Sequence, residues 1–288
     1  MAWRPSDTQR GLAQTARIEQ LRRIYLKAQG DMTRRLSSID LTSFQRYRTE
    51  QLLSQINSMI DEIDVRAYNW AKRSVKHSYR SGVNYGADHL RRMKVVRSVK
   101  YDALIHRQAV DVLTDAVATD LLEINGVIRR NVSRYIRATQ QRIIEDRNIS
   151  KALAESALHG EARRSTSDRL LSQFRKRMEA GEFIEINGRK YRPETYSELV
   201  ARTRMREASS QGTVNTCLQY GNDLVQVSIH QDIDGDDICN EYEGRIFSLS
   251  GTSKTYPMLD HMPPFHPNCR HVLLPITEEA AERRSKQQ

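Results

Sequence analysis

The sequence predicts a mainly α protein: an elongated N-terminal domain of long antiparallel helices, then a small α+β C-terminal domain. Three observations predict it. Apolar residues recur every three or four positions over long stretches, which lines them up on one face of a helix. Large aromatics are scarce, with five Phe and two Trp in 288 residues, a composition that suits helices packed along their lengths. Near Gly181 the pattern changes to short apolar runs separated by turn residues.

The first helix is expected over Leu12 to Leu36, carried by Leu12, Ile18, Leu21 and Ile24. A second begins after Thr42, whose spacing to Gln45 fits a capping box. Its apolar face runs Leu52, Ile56, Met59, Ile63, Ala67, Trp70, and such a face needs a partner. The third has the clearest period: Val110, Leu113, Val117, Leu121, Ile124, Ile128, Val132 and Ile136, interrupted only by Gly126. It can pair with the second as an antiparallel couple. Ser150 to Met178 adds one or two helices around Gly160.

Beyond Gly181, Ile184, Ile186 and Tyr191 flank Asn187-Gly188, a dipeptide that favours a tight hairpin turn. Pro193 is a good first helical residue, so a helix is expected from there to about Tyr220, stopped by Gly221. Leu224 to Ile229 and Val272 to Ile276 read as strands. The last dozen residues are polar and are expected to fray. The implied organisation is a basic helical domain over 1–180, a C-terminal domain over 181–276 and a polar tail over 277–288.

The formal net charge is +10, unevenly spread: about +13 over residues 1–200 and about −3 over 201–288. A field of that sign favours polyanions, nucleic acid above all, or an acidic protein face. Arg80, Arg91, Arg92, Lys94, Arg97 and Lys100 are interleaved with Tyr79 and Tyr85, so this segment is the candidate for contact with DNA or a protein partner, the tyrosines offering stacking faces. A charged, solvated helix face is the alternative. The start has no signal-peptide pattern and no membrane-length apolar run follows, so synthesis in the cytoplasm is expected.

Asp260 to Pro275 concentrates chemistry. Three histidines, one of three cysteines and four of seven prolines fall within these residues, which excludes an ordinary helix. Cys239, His266, Cys269 and His271 form a candidate zinc set, although no CxxC pair is present. Cys217, in a helical apolar register, reads as a buried reduced cysteine. Asp232, Asp234, Asp236, Asn240 and Glu243 fall at the spacing of a calcium loop, but Asp237 stands where the glycine is needed. Asp260, His261, Asn268 and His271 loosely suggest a metal-dependent nuclease. That reading and a helical DNA-binding protein without a virion role are the alternatives.

The chain from residue 190 to 276 resembles the Mu F-like minor head proteins of tailed bacteriophages, also called head morphogenesis or minor capsid proteins. The resemblance is carried by Ala201-Arg202-Thr203, Cys239 with Gly244 five residues on, and Pro263-Pro264-Phe265-His266-Pro267-Asn268-Cys269-Arg270. Family members often show a second cysteine at the positions held here by Tyr242 and His271. The resemblance implies a virion protein without catalytic residues, inside the head near the portal vertex. Its implied partners are the portal protein, the major capsid or scaffolding protein, and double-stranded DNA. Pro264, His266, Pro267, Asn268 and Arg270 would form a structural turn, with zinc as the one cofactor in question.

Overall fold

A computed structural model describes residues 5–37, 46–98, 100, 104–145, 172–173, 176–177, 180, 184–186, 188–230 and 238–285. Among these the chain is mainly α: α1 (Pro5–Ser37), α2 (Arg46–Arg92), α3 (Leu104–Glu145), α4 (Pro193–Gln219) and α5 (Glu278–Ser285). The strands are short: β1 (Ile184–Ile186), β2 (Arg189–Tyr191), β3 (Leu224–Val227), β4 (Ile246–Ser248) and β5 (Leu273–Pro275). The Thr42–Gln45 box, almost all of the helical stretch expected over Ser150–Met178, Asn187 and the acidic run Asp232–Asp237 lie outside the described residues. Two compact units are formed, one from Met1–Ile18, Trp70–Ala118 and Leu199–Gln288, the other from Glu19–Asn69 and Thr119–Glu198.

The second unit is built on three helical segments whose order follows from their polar contacts. Arg35 Nε donates to Gln55 Oε1 at 2.6 Å, while Tyr25, ten residues earlier in α1, interacts with Asp64, nine residues later in α2. The two segments therefore run antiparallel. Arg137 sits 3.9 Å from Glu50, Arg129 2.6 Å from Asp61, and Asn125 donates to Asp64 at 2.6 Å. Rising numbers on α2 meet falling numbers on α3, which is the antiparallel pair that the periodicity predicts. The buried face comprises Leu21, Tyr25 and Met32 on α1, Leu52, Ile56, Ile60 and Ile63 on α2, and Leu121, Ile124, Ile128 and Val132 on α3. The helix runs through Gly126 unbroken. Beside them β1 pairs antiparallel with β2, Ile184 opposite Tyr191, and Gly188 takes φ +74° in the turn, a conformation cheap only without a Cβ.

In the first unit α2 continues for 22 residues past Trp70, where the apolar period in the sequence ends. Its glycines explain why. A Cβ on Gly82 would stand 1.8 Å from Ser209 O, and one on Gly212 would stand 2.3 Å from Tyr79 O. The α2 and α4 backbones thus touch where side chains are missing. Thr213 Oγ1 donates to the Gly82 carbonyl at 3.1 Å across this contact. On α4 rest β4, β3 and β5, in that order, with β3 antiparallel to both neighbours. Val214 and Cys217 from α4, Val225 and Val227 from β3, and Tyr242, Phe247, Leu259 and Leu273 make the core. Cys217 is fully buried, and burial pushes its thiol up to about 12, an unreactive packing residue as expected. The polar end does not simply fray. It forms α5, whose Ala281 is fully buried against Leu224 and Ile276.

Candidate functional site

Two turns bring the cysteines together. Cys239 lies in a 3₁₀ turn over Ile238–Glu241, and its carbonyl accepts the N–H groups of Tyr242 and Glu243 at 3.0 and 2.9 Å. Opposite it, the Cys269 N–H donates to the His266 carbonyl at 3.1 Å, with Asn268 at φ 69°, a left-handed position that Asn tolerates. The Pro263–Pro264 peptide is cis and Pro267 precedes Asn268, so the turn is fixed by residues with few backbone options. Phe265 stacks on Tyr242 at 4.4 Å. Tyr242 Oη donates to Asp260 Oδ1 at 2.9 Å, and this bond holds the Asp260 carboxyl below its ordinary range.

Cys239, His266 and Cys269 offer ligand atoms all within 4.8 Å of one another. Both thiols are buried and their sulfurs are 3.8 Å apart. Two thiolates on a tetrahedral zinc, with bonds near 2.3 Å, stand about 3.8 Å apart by the same geometry. His266 Nδ1 lies 2.8 Å from the Pro267 carbonyl; as only a protonated nitrogen can approach a carbonyl so, the lone pair of the neutral ring lies on Nε2, the arrangement common to metal-ligating histidines. The residues therefore fit zinc.

His271 lies outside that group of three, yet its Nδ1 is 3.6 Å from Cys269 Sγ, and a zinc-bound sulfur and nitrogen stand about 3.5 Å apart. Its Nε2 is 3.8 Å from Glu243 Oε2, while Glu243 Oε1 accepts the His230 N–H. Glu243 is thereby engaged with two histidines, and the other calcium-loop positions from Asp232 to Asp236 lie outside the described residues. Of the residues in the nuclease reading, Asp260 is bonded to Tyr242, His261 and Asn268 are exposed, and His271 is buried; none belongs to the three-ligand group found among the described residues. Arg270 is exposed.

The six cations of the basic segment are exposed. Arg80, Arg91 and Arg92 lie on α2, with Lys94, Arg97 and Lys100 following it. Arg91 Nη1 is 2.7 Å from Asp88 Oδ1. The stacking role given to Tyr79 is corrected: its side chain is fully buried and its hydroxyl is bonded to His106. Tyr85 is half-buried and tilts against His89 at 4.4 Å. Sequence reasoning took α3 only for its apolar face and missed a second array. Arg129, Arg130, Arg134 and Arg137, with Asn57 and Gln141, line a groove of about 760 Å³ in the second unit. The spacing of three and four between Arg130, Arg134 and Arg137 was the available signal.

These features define a mainly helical protein with basic surface arrays and, near the end of the chain, a cysteine–histidine turn. The chain matches the family described as phage minor capsid protein 2 over residues 31–287, and it belongs to that family. The match includes the helical part, beyond residues 190–276 that carry the resemblance in the sequence. Comparison with curated proteins and with solved structures found no match. Among the described residues no helix is long and apolar enough to cross a membrane.

Proposed function

We propose that this phage minor capsid protein is a non-enzymatic component of the head interior, docked at the portal vertex or on the capsid lining, where it aids head assembly or genome delivery. Family membership over most of the chain is the observation that carries the reading. The basic arrays support it: Arg80, Arg91, Arg92, Lys94, Arg97 and Lys100 are all exposed, and exposed cations attract packaged double-stranded DNA or an acidic face of the portal, major capsid or scaffolding protein. The functional division is a basic helical region over 1–180, which makes the contacts, and a C-terminal module over 181–276, held by the Pro-rich turn. In that module Pro264, His266, Pro267, Asn268 and Arg270 form the turn, and Cys239, His266 and Cys269, with His271 as fourth ligand, hold one structural zinc. When bound, the metal ties the 3₁₀ turn to the segment entering β5, a role that stabilises the fold and drives no reaction. Coexpression with the portal protein tests the docking. The chain should copurify with assembled portal rings; recovery of rings free of it, and of capsid lining free of it, would overturn the proposal.

A further inference from the structure

The first unit contains a cavity of about 350 Å³ beside the clasp. It is bounded by α1, α2, α4 and the segment entering β5, and its walls divide by chemistry. Arg206 and Arg270 supply cations, His77, His230 and the clasp residue His271 imidazoles, and Ser78, Ser209 and other hydroxyl residues neutral donors, while Met205, Val272 and Leu273 supply an apolar side. Among the described residues lining it there is no Asp or Glu.

Arg206 is the telling residue. It is half-buried, yet its Nη1 is shut off from solvent and has no hydrogen-bond partner among the described residues. A guanidinium nitrogen in that state costs free energy unless a ligand completes it. Arg17, which acts electrostatically on His77 at the same wall, likewise carries a buried Nε with no partner among the described residues. Burial disfavours the Arg206 charge, Cys269 favours it, and the cations Arg202 and Arg270 disfavour it; an anion in the cavity supplies the bond that Nη1 lacks.

We propose that this cavity binds the phosphate of a nucleotide, with Arg206 and Arg270 taking the phosphate oxygens. Arginine's planar fork matches phosphate geometry, and the volume is that of a small-molecule pocket, which begins at about 300 Å³. A phosphate ion alone would leave the apolar side unfilled. The nucleotide is either free or the terminal unit of a DNA strand. The inference does not depend on where the protein docks in the head.

Titration calorimetry on the full chain tests it, with thymidine 5′-monophosphate, thymidine, and a short oligodeoxynucleotide with or without a 5′-phosphate. The monophosphate should bind at least about tenfold more tightly than thymidine. Arg270→Ala, an exposed position, and Arg206→Lys, which keeps the stem and charge but loses the fork, should each weaken it by about tenfold, while Lys254→Ala leaves it unchanged. A preference for the 5′-phosphorylated strand assigns the site to strand ends, and binding of the mononucleotide alone assigns it to free nucleotide. No binding of either at millimolar concentration, or wild-type affinity in both arginine variants, overturns the proposal.

Discussion

The Tyr79 hydroxyl lies 2.8 Å from His106 Nδ1 in the interior of the first unit. Asn215 Nδ2 donates to the same hydroxyl at 2.8 Å; because Nε2 of His106 faces the Gln219 side-chain carbonyl oxygen and must carry the proton of the neutral ring, Nδ1 accepts from Tyr79. His106 Nε2 then donates to Gln219 Oε1 at 2.7 Å, and Gln219 Nε2 to the Lys100 carbonyl at 3.3 Å. One directed chain of bonds joins α2, α3 and α4. Tyr79→Phe keeps the ring but strands Asn215 and His106, and it should cost about 1–3 kcal/mol in denaturant unfolding. A change within error would mean that the chain contributes nothing.

Gly82 and Gly126 should respond oppositely to alanine. At Gly82 the new methyl meets Ser209 backbone atoms, which cannot move without separating the helices, so Gly82→Ala should destabilise by about 1–3 kcal/mol or more. At Gly126 the nearest atom is the end of the Arg130 side chain at 3.4 Å, so the gain in helix propensity prevails and Gly126→Ala should stabilise by up to about 1 kcal/mol. Thermal melts of the two variants side by side decide the matter.

Acid sensitivity has a specific contributor in Asp223. Burial pushes its carboxyl up, but the Ser248 and Ser250 hydrogen bonds together outweigh this and hold it below 3.8. A depressed folded value means that the unfolded chain takes the proton first. The stabilisation is therefore present above the ordinary carboxylate range and is lost as pH falls through the depressed folded value. Asp223→Asn should flatten this part of the stability profile; an unchanged slope would assign the acid response elsewhere.

For DNA contact the six cations are not equivalent. Arg91 already has Asp88 as partner, so Arg92→Ala and Lys94→Ala should weaken binding of duplex DNA more than Arg91→Ala. Each phosphate contact removed should lower the slope of log affinity against log salt by about one. Salt-insensitive binding, or none, would contradict this part of the proposal.

Much of this was legible in the sequence, for identifiable reasons. The long helices were readable because a period of three or four sustained over Val110 to Ile136 fits a helix and not a strand, whose period is two. The β1–β2 hairpin was readable because Asn187-Gly188 prescribes its turn. The continuation of α2 was not. Gly82 and Gly86 look like helix breakers until α4, more than a hundred residues away in sequence, is seen against them. Tyr79 likewise sits among charged letters, and only the long-range partners His106 and Asn215 reveal it as core. At the clasp, three of the four residues in the candidate set, Cys239, His266 and Cys269, stand together, with His271 outside the group. The partner of Tyr242 could not be foreseen, since stacking on Phe265 depends on how the proline turn folds back.

Whether the clasp is a metal centre is decided most directly by the zinc content of the purified chain, prepared without chelator. About one equivalent per chain is expected, falling below about 0.2 in Cys239→Ser and in Cys269→Ser, with a lower melting temperature in both. Wild-type protein holding less than about 0.2 equivalents and indifferent to chelator would contradict it, leaving Cys239 and Cys269 as packing residues and the Phe265–Tyr242 stack as the closure of the turn.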